Sequence, residues 1–231
     1  MGSNVGVVIP YHGEKDLLPQ ALASIRKQTI QPDELIVVDD FSGDPPTQEA
    51  NKFNANLIVH DHNKGLASAR NTGINALQSR YYIALDSDDW LEGNYIERML
   101  YYSRHSRDVY HYPDAYVVNR SRSSKWKAPE FDIYKLLRYN FVVATSFVPK
   151  VLWELASGYD PKYSKAGGWE DWAFWLTLCK HGAGGVHVPE WLFYRRVRNN
   201  SMSKRIKGQR IRKLKKMLRE DFDKLYIEHG L

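Results

Sequence analysis

The sequence predicts an α/β fold, a mostly parallel sheet flanked by helices. Three observations predict it. Short apolar runs alternate with helix-period stretches in the order β-α-β-α-β-α-β over residues 5–85. The runs are continuously apolar, as in strands covered on both faces. Two of them end in carboxylates, Asp39-Asp40 and Asp86-Ser87-Asp88-Asp89, at the strand ends where open α/β sheets hold ligands.

Each element follows from its pattern. Val5-Gly6-Val7-Val8-Ile9-Pro10 reads as a buried strand ended by Pro. Leu18, Leu22 and Ile25 recur at helical spacing within Leu17–Gln28. Glu34–Asp40 is a second strand, Thr47–Asn54 a helix, Asn56–His60 a third strand. Gly65–Leu77 is a helix entered through a Gly turn, with Ala67 and Ala69 small enough to let it approach the sheet. Tyr81–Leu85 is the next strand. Three carboxylates follow it within four positions, and such a cluster calls for a neutralising cation such as Mg²⁺ or Mn²⁺. The alternative is a solvated turn in which Asp89 caps a helix starting near Trp90.

Composition narrows the function classes. The chain has 231 residues, 43% hydrophobic, enough for one domain or two fused subdomains. Its one cysteine, Cys179, excludes an intrachain disulfide. There is no secretory leader pattern, no apolar run of spanning length and no internal repeat. Net charge is +6, but Lys204–Arg219 holds nine basic residues and no acid, leaving 24 basic against 27 acidic elsewhere. A whole-protein nucleic-acid footprint is therefore not implied.

The Asp39-Asp40 pair and the Asp86–Asp89 cluster end strands on one sheet edge and make a polar crevice. Asn63-Lys64-Gly65-Leu66-Ala67-Ser68-Ala69-Arg70 brings Lys64 and Arg70 to it, a charge that suits a diphosphate. Arg70 could instead pair with Asp39 or Asp86 and hold the edge together. Together, Pro10, Val37-Val38-Asp39-Asp40-Phe41-Ser42, the Asn63–Gly73 stretch and Leu85-Asp86-Ser87-Asp88-Asp89-Trp90 resemble family 2 glycosyltransferases in order and spacing. The resemblance covers roughly residues 5–100 and implies a GT-A fold, Rossmann-like, with a nucleoside-diphosphate sugar as donor, UDP foremost. It makes Asp39 the reader of the nucleobase, with Pro10, Tyr11 and His12 along that pocket and Asp40, Ser42, Lys64, Gly65 and Arg70 about the nucleotide. Asp86-Ser87-Asp88 resembles the DxD motif, Asp86 toward ribose and sugar, Asp88 on a Mn²⁺ or Mg²⁺ that Asp86 helps to hold. Family members usually carry Pro-x-Tyr-Asn where this chain has Pro10-Tyr11-His12-Gly13.

Residues 100–165 carry fewer signals. Tyr101–Tyr116 reads as loop plus strand, Ser121–Pro129 as a mobile loop, and Asn140–Pro149 as a return to the sheet; Trp126 suits packing better than sugar stacking. Trp172, Trp175, Leu176 and Cys179 form one stripe of a helix over Glu170–Lys180, with Cys179 in the core. Glu170 and Asp171 in its first turn either complement the helix dipole or do chemistry. The resemblance makes Asp171 the general base, kept ionised by the helix N-terminus, with Glu170 supporting the site or the acceptor. Counting back from Ser201, Arg198 stands where the family often has His. Arg198 cannot ligate a metal but could bind diphosphate oxygens.

The expected organisation is a glycosyltransferase domain over 1–203, with donor binding in about 1–100 and acceptor binding in about 101–203. A basic amphipathic helix follows over 204–231. Ile211, Leu214, Leu218, Phe222 and Leu225 space that helix, which either docks through 204–219 on an anionic membrane or packs on the domain. The expected reaction is inverting, metal-assisted sugar transfer to a glycan, lipid-linked or protein-linked hydroxyl, as in polysaccharide biosynthesis, in the cytoplasm or at the inner face of a membrane. The rivals are a non-catalytic nucleotide-sugar-binding module and a sugar-1-phosphate nucleotidyltransferase. The second should show a Gly-rich loop after the first strand, which Pro10-Tyr11-His12-Gly13 is not.

Overall fold

The computed structural model describes residues 2–106, 108–119, 122–198 and 207–231. Four parallel strands build its first half: β1 (Val5–Tyr11), β2 (Glu34–Asp39), β3 (Asn56–Val59) and β4 (Tyr81–Ala84), in the spatial order β3-β2-β1-β4. The chain crosses between them through helices α1 (Leu18–Arg26), α2 (Thr47–Lys52) and α3 (Leu66–Ala76). These elements match the apolar runs, because β1, β2 and β4, buried on both faces, leave no polar alternation, while β3 is the exposed edge strand. Pro10 does not end β1, which runs on through Tyr11. The pairing with β4 ends at Val8–Ala84, so Pro10 stands where β1 has lost that neighbour.

The sheet then changes direction. β8 (Phe147–Pro149) runs antiparallel to β4, and beyond it lie β6 (Tyr110–Asn119), β9 (Gly185–Arg196) and the short β5 (Trp90–Leu91). Two of the sequence expectations fail here. Arg122–Trp126 is a strand, β7, paired antiparallel with β6. It is polar and mostly exposed, so nothing in its pattern marks it; backbone pairing alone makes it a strand. No helix begins at Trp90 either: Trp90 and Leu91 pair with Tyr194 and Phe193.

One apolar cluster fills each side of the sheet. α3 lies unusually close to its side. A Cβ built on Gly73 would stand 2.3 Å from Val8 Cγ1, so only glycine lets the helix sit there. α4 (Tyr95–Ser103), α5 (Ile133–Leu136), α6 (Lys150–Leu155), α7 (Pro161–Ala166) and α8 (Glu170–Lys180) complete the body. Cys179 is partly buried against one cluster, and burial pushes its thiol up to about 12, the state of an inert packing residue.

The tail forms α9 (Gln209–Asp221) and α10 (Asp223–Glu228); residues 199–206, with Ser201 and the start of the basic run, lie outside the described residues. Leu214, Leu218, Phe222, Leu225 and Tyr226 are buried against the body. The apolar face is therefore spent on packing against the body. Arg212, Lys213, Lys215 and Lys216 face solvent. Among the described residues no helix is long and apolar enough to cross a membrane.

Candidate active site

The carboxyl ends of β1, β2 and β4, the start of α8 and the end of β9 converge on a cleft of about 660 Å³. Pro10, Tyr11 and His12 form one wall. Asp39 stands in register with Tyr11 and is fully buried behind that wall. Its Oδ1 accepts from the Ser42 amide at 2.9 Å, while its buried Oδ2 has no partner among the described residues. Burial and the Asp39 charge push the Tyr11 phenol up to about 12. An orphaned carboxylate oxygen is costly to bury, and an incoming N–H donor would satisfy it.

Asp40 does different work. Its Oδ1 accepts from the Lys64 amide and pairs with His60 Nδ1, and its Oδ2 accepts from the Gly65 amide. It is the clamp that fixes the turn into α3. The Lys64 ammonium points away, to Asp61 at 2.9 Å, so its expected approach to a diphosphate is not the geometry found. Ser42 also turns locally, its Oγ accepting from the Asp44 amide. His12 borders the cleft with its ring held by the Asp40 carbonyl and by Asn63.

Arg70 is buried, and its two terminal nitrogens donate to Asp86 Oδ1 at 2.6 Å and Glu170 Oε1 at 2.7 Å. Its ring partner is Tyr159, at 5.6 Å. It therefore ties β4 to α8, the edge-holding alternative, with Asp86 rather than Asp39 as its partner. Ser164 on α7 adds a second tie, its Oγ accepting from the Ala67 amide in the first turn of α3.

In the acidic cluster every carboxylate has a cationic or amide partner. Asp86 holds Arg70, Asp88 Oδ2 lies 2.7 Å from Arg198 Nη2, and Asp89 Oδ1 accepts from the Arg196 amide at 2.7 Å. Asp89 thus secures β9 rather than capping a helix. Ser87 Oγ donates to Glu14. Burial first and then the neighbouring aspartates push the carboxyls of Asp88 and Asp89 up. No group of three or more His, Cys, Asp or Glu side chains that could hold a metal forms among the described residues. With Asp86 and Asp88 already paired to guanidinium groups, the donor set does not fit a resident cation.

α8 begins on a strained entry. Gly167, Gly168 and Trp169 have φ of 112°, 139° and 72°. Glycine adopts these values freely, but an aromatic residue at +72° is strained, and such strain persists where the surroundings hold it. The turn swings Glu170 inward to Arg70 and leaves Asp171 on the cleft wall. Asp171 Oδ2 accepts from Asn140 Nδ2 at 3.0 Å, and Oδ1 from the Trp172 amide at 2.8 Å. The helix N-terminus does not keep its pKa low. Burial and the Glu170 charge outweigh Arg70 and push the carboxyl up to about 6. Glu14 and Asn140 are site residues that the sequence does not mark, since neither sits in a patterned stretch.

Two acidic strand ends and the Glu170–Asp171 pair at a helix start thus meet in one cleft of a mostly parallel α/β sheet. The profile of glycosyl transferase family 2 matches residues 6–157, and the chain belongs to that family. It is 26% identical over 209 residues to the Escherichia coli UDP-Glc:alpha-D-GlcNAc-diphosphoundecaprenol beta-1,3-glucosyltransferase WfaP, covering 86% of this chain and 79% of that protein. It is 34% identical over 99 residues to the glycosyltransferase GlyA of Streptococcus pneumoniae, across 41% of this chain and 14% of GlyA. The chain thus spans only a small part of some of the relatives it matches. In fold it resembles S. aureus TarS 1-349 in complex with UDP, with TM-score 0.70, 18% identity, and 86% of this chain and 61% of that one covered.

Proposed function

We propose that the chain transfers a sugar from a nucleoside-diphosphate sugar to a hydroxyl of a glycan, lipid-linked or protein-linked acceptor, with inversion. UDP is the favoured nucleotide, since WfaP is named for UDP-Glc and the TarS structure holds UDP. A lipid-linked acceptor is favoured on the same ground, because WfaP is named for a diphosphoundecaprenol acceptor. Such an acceptor is met at a membrane surface, which the exposed basic side of α9 suits by charge.

The observation that carries the reading is Asp171, a carboxyl held by Asn140 and the Trp172 amide in the cleft that contains the acidic strand ends. A carboxyl near 6 is ionised at neutral pH yet basic enough to take a proton. It deprotonates the acceptor hydroxyl. The acceptor oxygen bonds to the anomeric carbon from the face opposite the diphosphate. The bond from that carbon to the diphosphate oxygen breaks, and its electron pair leaves with the nucleoside diphosphate. No enzyme nucleophile is needed.

In this division of work residues 1–100 hold the donor and 101–203 the acceptor, while the tail packs on the body. Glu170 positions Arg70 rather than touching substrate, and the orphaned Asp39 oxygen suits a base N–H. No step is routed through a cation. The test is transfer from UDP-sugars to a panel of glycoside acceptors, with the product anomer assigned by NMR. Inversion, lost in Asp171→Asn, is expected; a product of retained configuration would refute the mechanism.

A further inference from the structure

We propose that Arg198 stands in for a bound cation: its guanidinium receives the donor's diphosphate, and its pairing with Asp88 keeps divalent ions from settling there. This rests on the reading of the cleft as a donor site.

Among the described residues, the arginines that border the cleft are Arg70, Arg196, Arg198 and the exposed Arg195. Arg70 is buried, with both terminal nitrogens engaged by Asp86 and Glu170. Moving it would leave two carboxylates uncompensated. Arg196 is anchored by the Asp88 carbonyl, Gln20 and the face of Trp90. Arg198 differs. Its Nη2 lies 2.7 Å from Asp88 and 3.9 Å from Glu14 at the acidic strand end, and its side chain is 32% exposed. A guanidinium fork fits carboxylate and phosphate oxygens equally well. A phosphate oxygen can take the place of the Asp88 oxygen on that fork.

The same contact works against a metal. A divalent ion on Asp88 would sit roughly 2 Å from a carboxylate oxygen, beside a guanidinium already on that carboxylate. Like charges that close repel strongly in a partly dry cleft. To bind, the ion must first displace Arg198. The charge that the leaving diphosphate develops therefore meets a side chain carried by the end of the β9 segment.

Two measurements test this, each on the full chain. The first is UDP binding by calorimetry, in EDTA and in Mn²⁺. Wild-type protein is expected to bind UDP in EDTA within about threefold of its Mn²⁺ affinity. Arg198→Ala should weaken binding in EDTA by about tenfold, one lost charge-assisted contact. Asp88→Asn should bind UDP as well or better, because it releases Arg198. A metal-ligand role for Asp88 predicts the opposite, and UDP binding that needs Mn²⁺ and is lost in Asp88→Asn would overturn the proposal. The second is electron paramagnetic resonance titration of Mn²⁺ alone. Wild-type affinity should be weak, and Arg198→Ala and Arg198→His should tighten it about tenfold or more. Equal Mn²⁺ affinity in all three would also overturn it. If UDP binds none of the proteins, the donor-site reading fails, and the Mn²⁺ titration still decides whether Arg198 bars the ion.

Discussion

At Asp171, burial and the charge of Glu170 both disfavour ionisation, and they raise the carboxyl from 3.8 to about 6. Below its unfolded pKa the group is protonated in both states and costs nothing. Above about 6 it is ionised in both, and the fold bears the full penalty, about 3 kcal/mol from the shift. Asp171→Asn should therefore raise the melting temperature at pH 8 and leave it nearly unchanged at about pH 3, below the unfolded pKa, while transfer falls by about 10²–10⁴. In the wild type, kcat/KM should rise with pH on an acid limb near 6, which a pH–rate profile reads directly. Arg70 gives the contrary case. Removing its guanidinium leaves Asp86 and Glu170 facing each other in a buried site, so Arg70→Ala should cost about 3–5 kcal/mol in denaturant unfolding.

Among the elements, α3 is held most tightly against the sheet. Gly73→Ala puts a methyl into Val8 Cγ1, and the helix has to lift from β1. A loss of about 1–3 kcal/mol is expected, with a lower denaturant midpoint as the readout. The elements legible in the sequence were mainly those whose burial shows in the chain itself: β1, β2, β4, α3 and α8. Their apolar runs and stripes have no other explanation. The carboxylates at the strand ends were legible too, since charges directly after a buried run must face the sheet edge. β7 was not legible, because it is polar on both faces and owes its form to β6. Neither was the direction of Lys64, nor the role of Asn140. A partner brought from a distant stretch leaves no local pattern, and the raised carboxyl of Asp171 comes from burial first and the adjacent Glu170 charge second, not from its place at a helix start.

At the scale of the whole molecule, α9 and α10 join the tail to α7 and to the end of α5. Tyr163 on α7 donates to Asp221, Lys162 pairs with the same carboxylate, and Tyr226 donates to the Leu137 carbonyl. A Cβ on Gly167 would meet the Arg210 side chain, so the tail also covers the entry to α8. Leu218→Ala, at a fully packed position, should cost about 2–5 kcal/mol in thermal or denaturant unfolding. The Ser164 cap on α3 draws out what this arrangement means for local opening. The Ala67 amide ends on a hydroxyl carried by α7, and α7 is braced by α9. In deuterium exchange the Ala67 amide, in the first turn of α3, should therefore lose protection together with the C-terminal helix. The start of α3 and the C-terminal helix would open as one cooperative unit.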